Sequence, residues 1–228
     1  MKFHKVLQGL VVITAFSMGA TALYAQEYSV FAMGSISSLL DKRYYSEHTI
    51  PYGSSYKTGG DFTLGAEAPL KKSKILGVEG SYSRVRNNLA ITDYGLSTPS
   101  ETGYGIHDQR LSGDLVAHAP RYFLGLKPYL VAGLEYDRFS PTYPRSNIFN
   151  GFVNAALGSA NKAGISYGGG LDMKLLPYLN LRLDVRDHLT STPTYGLPSS
   201  SSNGPYYPIS GPAHDVEYSA GIALHFGK

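Results

Sequence analysis

Arg182, Asp184, Arg186 and His188 stand at every second position of the stretch Tyr178–Leu189, with Leu181, Leu183 and Val185 between them. Ser112, Asp114 and His118 share one parity further upstream. Two chemistries are open to such residues. Serine, carboxylate and imidazole are the residue types of a hydrolase triad. Alternating guanidinium and carboxylate groups are the types that pair, planar fork to carboxylate, where water is scarce. The triad needs its three groups within hydrogen-bond reach, yet positions 114 and 118 of one strand lie ~13 Å apart. Ion pairing needs only that all the charges share a face. The expectation is therefore an interior hydrogen-bond network, with no catalytic residue, cofactor or metal ligand. His48, His107 and His214, in or beside the long connections, are the residues a surface metal site or a lipid-modifying site would use.

The elements that place these residues have a period of two. Successive side chains of a strand point to opposite faces, and eight segments alternate in this way: Tyr28–Leu39, Gly60–Leu70, Ile75–Arg86, Asp108–Ala119, Lys127–Asp137, Gly164–Lys174, Leu179–Thr190 and Asp215–Phe226. Each is about the ten residues a tilted membrane strand needs. The connections alternate in length. Lys71–Lys74, Pro120–Leu126 and Leu175–Tyr178 are short; Asp41–Thr58, Asn87–His107, Phe139–Ala163 and Ser191–His214 are long and hold most of the proline and the serine tract Ser199–Ser202. Short turns at one end and long loops at the other are the pattern of an outer-membrane barrel.

Alternation also suits a soluble barrel with its apolar face inward. A second pattern separates the two. With the leucine face outward, Phe62, Tyr82, Tyr136, Tyr167 and Tyr218 fall near the loop end, and Tyr122, Phe123, Tyr178 and Phe226 near the turn end. Two aromatic bands on an otherwise aliphatic face match the girdles at the two membrane interfaces. The other face then lines the lumen. Its charged members are Glu67, Glu79, Arg110, Asp114, His118, Glu135, Asp172, Lys174, Arg182, Asp184, Arg186, Glu217 and His225, with the two signs expected to be nearly matched. For Arg182 and Arg186 the neighbouring strands offer Asp172 and Glu217 as the expected partners, while Glu67 and Glu79 would have to reach across. Asp187 falls on the leucine face, where a charge is tolerated at an interface or beside a bulge.

The ends and the composition narrow the class. Lys2 and Lys5 precede the apolar run Val6–Ala20, and Ala25 precedes Gln26, the pattern of a secretory signal peptide over residues 1–25 followed by one domain over 26–228. Loss of Lys2 and Lys5 would lower the formal charge from +3 to +1, a poor match for nucleic acid. The absence of cysteine excludes disulfides and thiolate metal sites.

The segment Tyr167–Thr190, with the final strand Val216–Phe226, resembles the small OmpA/OmpX-like outer-membrane β-barrel proteins. The resemblance implies an all-β, eight-stranded antiparallel up-and-down transmembrane barrel with short periplasmic turns and four long extracellular loops. It implies a monomer in the outer membrane of a Gram-negative bacterium, in contact with membrane lipid and lipopolysaccharide and inserted by the barrel-assembly machinery. In this family a terminal aromatic serves assembly; here Phe226 is followed by Gly227 and Lys228. The expected function is structural or interactive: a charge-paired, non-porin interior with loops serving adhesion or envelope integrity through a ligand the sequence does not name. The alternatives are a lipid-A-modifying barrel enzyme and a soluble exported ligand-binding barrel.

Overall fold

A computed structural model describes residues 28–39, 43–47, 50–70, 73, 75–93, 100–142, 158–196 and 211–227. The signal-peptide segment 1–25, His48 and the serine tract Ser199–Ser202 lie outside these residues. The described chain is all β: β1 (Tyr28–Leu39), β2 (Arg43–Glu47), β3 (Ile50–Pro69), β4 (Leu76–Asp93), β5 (Ser100–His118), β6 (Leu126–Pro141), β7 (Ala160–Leu176), β8 (Leu179–Ser191) and β9 (Pro212–Phe226). All pairings are antiparallel between neighbours in the order β1-β9-β8-β7-β6-β5-β4-β3, and β1 also pairs with β3, so the sheet closes on itself. Segment β2 pairs only with the far end of β3 and continues the stave begun by β1, giving eight staves. Among the described residues no helix is long and apolar enough to cross a membrane, which says nothing against crossing by strands.

The connections follow from local chemistry. Pro177 and Tyr178 alone separate β7 from β8. Between β5 and β6, Leu124 and Gly125 both have positive φ (51° and 80°), and the backbone bonds Phe123–Leu126 run both ways at 2.8 and 2.9 Å. That is a two-residue turn of the mirror-image type, whose twist matches the strands it joins.

Most strands run past the alternating segments of the sequence, three of them by the widest margin. β3, β4 and β5 have 20, 18 and 19 residues, against the ~10 that cross a bilayer. Much of what alternation assigned to the loops 41–58 and 87–107 is therefore ladder: Tyr52–Lys57 pairs with Asn88–Asp93, and Leu89–Asp93 with Ser100–Tyr104. The apolar-out rule ends where the lipid would end, while backbone pairing continues past it. Polarity alone therefore marks these strands short of their ends.

Candidate functional site

The closed ring turns one parity of every strand into a narrow lumen, and ion pairs cross it. Arg182 on β8 is 1% exposed. Its Nη2 donates to Glu79 Oε2 at 2.7 Å, its Nη1 to Glu67 Oε2 at 3.4 Å and its Nε to the Tyr129 hydroxyl at 2.9 Å. The Phe31 and Tyr129 rings lie 4.5 and 4.4 Å from the guanidinium carbon. Arg186, two residues on, donates to Glu79 Oε1 at 2.7 Å, to Asp184 Oδ1 at 2.8 Å and to Asp114 Oδ2 at 3.2 Å. Glu79 on β4 thus receives both arginines of β8. These two staves stand four places apart in either direction round the ring, so the pairs are struts across the full lumen. A second layer nearer the loops repeats the device. Arg110 on β5 donates to Asp137 at 3.0 Å on its neighbour β6, and to Asp215 at 3.0 Å and Glu217 at 3.3 Å on β9, again the facing stave.

Two expectations about this network are corrected. Asp172 and Glu217 are indeed the register partners of Arg182 and Arg186, but neither arginine takes them. Side chains at paired positions stand side by side, so a long guanidinium extends past its neighbour to the facing wall. Glu217 serves Arg110, His188 and Ser219 instead, and Asp172 lies 3.9 Å from His118. Nor are the signs matched. On the lumen parity, among residues with described side chains, eleven carboxylates meet three buried arginines and three less buried lysines, Lys127, Lys162 and Lys174, because Asp61, Asp108, Asp137 and Asp215 join the carboxylates read from the sequence. Hydroxyl and imidazole donors answer part of the surplus: Ser166 to Asp114 at 2.5 Å, the Tyr129 hydroxyl to Asp184 at 2.5 Å, and His188 Nδ1 to Glu135 at 2.6 Å. Lys174 and His225 sit at the turn-side mouth, the lysine exposed and His225 Nε2 2.9 Å from Asn180. The residues missed were at strand ends, yet the period-two steps Asp108–Arg110, Glu135–Asp137 and Asp215–Glu217 carried the signal.

Apolar side chains share the lumen with the charges. Phe31, Met33 and Ala223, with Val116, Tyr129 and Val131, fill the turn side, and Leu89, Ile106, Phe139 and Tyr195 cluster at the loop side. These depart from the polar-in rule and were invisible to a scan for it. The triad types do not assemble. Ser112 donates to Asp114 at 2.9 Å, but His118 Nε2 is 2.6 Å from Glu67, and Asp114 is occupied by Ser166 and Arg186.

The outer face is apolar where the lumen is polar. Leu64, Leu111, Leu115, Leu130, Leu134, Ile165, Leu183, Val185 and Ile222 all face outward and exposed. Phe62, Tyr82, Tyr136, Tyr167 and Tyr218 ring the loop side of this band, and Tyr122, Phe123, Tyr178 and Phe226 the turn side, all exposed. Phe62 meets Tyr82 edge-on, and Phe226 stacks on Tyr28. Asp187 lies within the loop-side ring, where its Oδ2 accepts from the Tyr167 hydroxyl at 2.6 Å and from His214 Nδ1 at 2.9 Å. No bulge adjoins it; the irregularity in that pairing is at Lys174–Leu176.

No family model matches the chain, and comparison with curated sequences finds no match. Solved structures do match in shape. Neisserial surface protein A (NspA) superposes with a TM-score of 0.54 at 16% identity, over 87% of this chain and 97% of that one. The outer membrane protein OprG from Pseudomonas aeruginosa superposes at 0.55 and 14% identity, over 90% and 97%. The chain has the fold of a small outer-membrane β-barrel. At these identities the likeness is one of fold, and the residues that fill this barrel are its own.

Proposed function

We propose that this chain is exported by its N-terminal segment and resides in the outer membrane of a Gram-negative bacterium as a monomeric, non-porin barrel. Its long connections then face outward for interaction. One observation carries the reading: an exposed aliphatic band between two aromatic rings encloses a lumen crossed by buried arginine–carboxylate struts. Water around that band would meet an apolar surface far larger than the few hundred Å² a soluble monomer tolerates, so the soluble ligand-binding barrel is disfavoured. A lumen so filled leaves no wide channel. The activity is that of a scaffold which holds loops at the cell surface, supporting adhesion or envelope integrity, and the chemistry lies in what those loops touch.

Sedimentation of membranes on a density gradient, followed by gel migration of boiled and unboiled samples, tests the placement. A closed hydrogen-bonded barrel resists detergent until heated, so two bands from the outer-membrane fraction are expected. A single position for the verified folded protein, or its recovery in the soluble fraction, overturns the proposal.

A second reading, chemistry on lipid A, has one observation in its favour. The His214 side chain is 44% exposed, and its Nδ1 is held by Asp187 on the outer face, which orients the imidazole as a general base is oriented. Mass analysis of lipid A after incubation with the protein decides it: a changed lipid that His214→Ala leaves unchanged would establish the enzyme.

A further inference from the structure

The outer face is not uniformly uncharged. Directly above the loop-side aromatic ring, on β4, β5 and β6, the register sets Arg84 beside Gln109 and Gln109 beside Arg138. The next row sets Arg86 beside His107 and His107 beside Ser140. The row below them is Tyr82, Leu111 and Tyr136, the aromatic ring itself. Three arginines therefore stand on one patch about two strand spacings, ~10 Å, wide. Among the described residues the outward parity of these three strands carries one carboxylate, Glu101 on β5, three two-residue steps (~20 Å) beyond His107, and none of the three arginines makes an ion pair there. Arg84 Nε and His107 Nδ1 are shielded from solvent and without a hydrogen-bond partner. His107 stands above the ring, outside the spanning segment; burial and the adjacent Arg84 and Arg86 hold its proton affinity below the ordinary value. Arg84 and Arg86 also border a shallow groove lined by Phe62, Tyr218, Gly34 and Gly60, with the carboxylate Asp61, of lumen parity, at its edge.

From this we infer a binding site for the phosphate groups of an outer-leaflet lipid, formed by Arg84, Arg86 and Arg138. It rests on the reading that the aliphatic band lies in the membrane. Placement decides the ligand. Aromatic rings mark the headgroup level, and one strand step of two residues is ~7 Å, so the guanidinium groups reach the depth where lipid phosphates lie. Forked donors suit phosphate oxygens, and three uncompensated charges suit a headgroup bearing more than one phosphate. The groove beside Arg84 offers apolar and glycine surface to the rest of that molecule. On the opposite wall the outward carboxylate Asp187 is already engaged, which leaves β4–β6 as the cationic side.

The test refolds the wild type and an Arg84→Gln/Arg86→Gln/Arg138→Gln variant into phosphatidylcholine vesicles doped with diphosphoryl lipid A or its dephosphorylated form. Lipid retained after detergent extraction is counted by native mass spectrometry, and the heat-dependent gel shift of the same samples reports closure. Each surface charge near an anionic headgroup contributes about fivefold, so the triple variant is expected to lose on the order of 100-fold in affinity. The wild type should prefer the phosphorylated lipid. Arg121→Gln at the exposed turn end should bind as the wild type does, and triple replacement by Lys should retain most of the binding. Equal retention of the two lipids by the wild type, or unchanged binding by the glutamine variant, overturns the site. Equally tight binding of inorganic pyrophosphate in lipid-free micelles overturns the lipid assignment in favour of a soluble polyanion. Absence of the gel shift in the wild type would instead overturn the barrel reading on which the site rests.

Discussion

Replacing Arg182 by Leu should cost the barrel about 3 to 4 kcal/mol of stability, and the figure can be built from its surroundings. Breaking a buried ion pair by removing one partner costs ~3 to 5 kcal/mol, because the remaining charge is left uncompensated. Here the stranded groups are not bare: Glu79 keeps Arg186 at 2.7 Å and Glu67 keeps His118 at 2.6 Å. That places the electrostatic loss at the low end. Two ring contacts, to Phe31 and Tyr129, add ~0.5 to 1 kcal/mol each, and the Tyr129 hydroxyl loses its donor. Leucine returns part of this by packing against the same rings. The chain has no tryptophan, so the assay is urea unfolding in vesicles followed by far-UV circular dichroism and by the gel shift. Arg182→Lys serves as the control; it keeps the charge but not the fork, and should lose less than the leucine variant. A loss below ~1 kcal/mol for Arg182→Leu would mean that the strut is energetically idle and that replacement by apolar packing compensates it, as happens for some buried pairs.

Three further outcomes are expected. A cysteine at 183 should react with a lipid-dissolved thiol probe and one at 182 should not, while Leu183→Arg should destabilise by ~2 to 4 kcal/mol if the outward face lies near the bilayer midplane; labelling at 182 alone would invert the faces. Planar-bilayer recordings of the wild type should show no large, steady steps, and Glu79→Ala combined with Arg110→Ala should increase conductance, since both struts are cut; large open steps in the wild type would refute a blocked lumen. Gly170→Val should destabilise by ~1 to 3 kcal/mol, because a side chain there meets the Tyr129 ring and the Leu183 carbonyl oxygen; an unchanged midpoint would show that Tyr129 does not depend on its seat over Gly170.

The sequence made the barrel legible because one face of every strand is apolar and the other largely polar. Leu181, Leu183 and Val185 cannot alternate with Arg182, Asp184 and Arg186 unless one face is apolar and the other is not, and the aromatic rings then tell which is outward. Where that contrast ends, polarity no longer marks the strand. β3 to β5 continue as ladder beyond the apolar band, and nothing in the composition of Tyr52–Lys57 or Ser100–His107 separates strand from loop. The network's members were mostly legible from parity, but not its pairings. Parity and register say which residues are neighbours on a wall; they do not say how far a guanidinium reaches. In a lumen this narrow the facing wall is within reach of Arg182, Arg186 and Arg110, and the reach decided the partners.

That geometry bears on why the lumen holds charge at all. Apolar cores are usually as stable as buried ion pairs, and this barrel has apolar packing available at both ends of its lumen. What the struts add is direction. Glu79 can accept Arg182 and Arg186 only if β4 and β8 stand opposite each other at one height, and Arg110 can reach Asp215 and Glu217 only if β5 and β9 do the same. Slipping one strand by a single residue would turn these side chains outward. Two crossing layers of struts thus tie the register of four staves to one another, where neighbour-to-neighbour pairing alone would set each register separately. Specificity of closure, more than net stabilisation, is the contribution the ion pairs are placed to make, and it accounts for their crossing between facing staves.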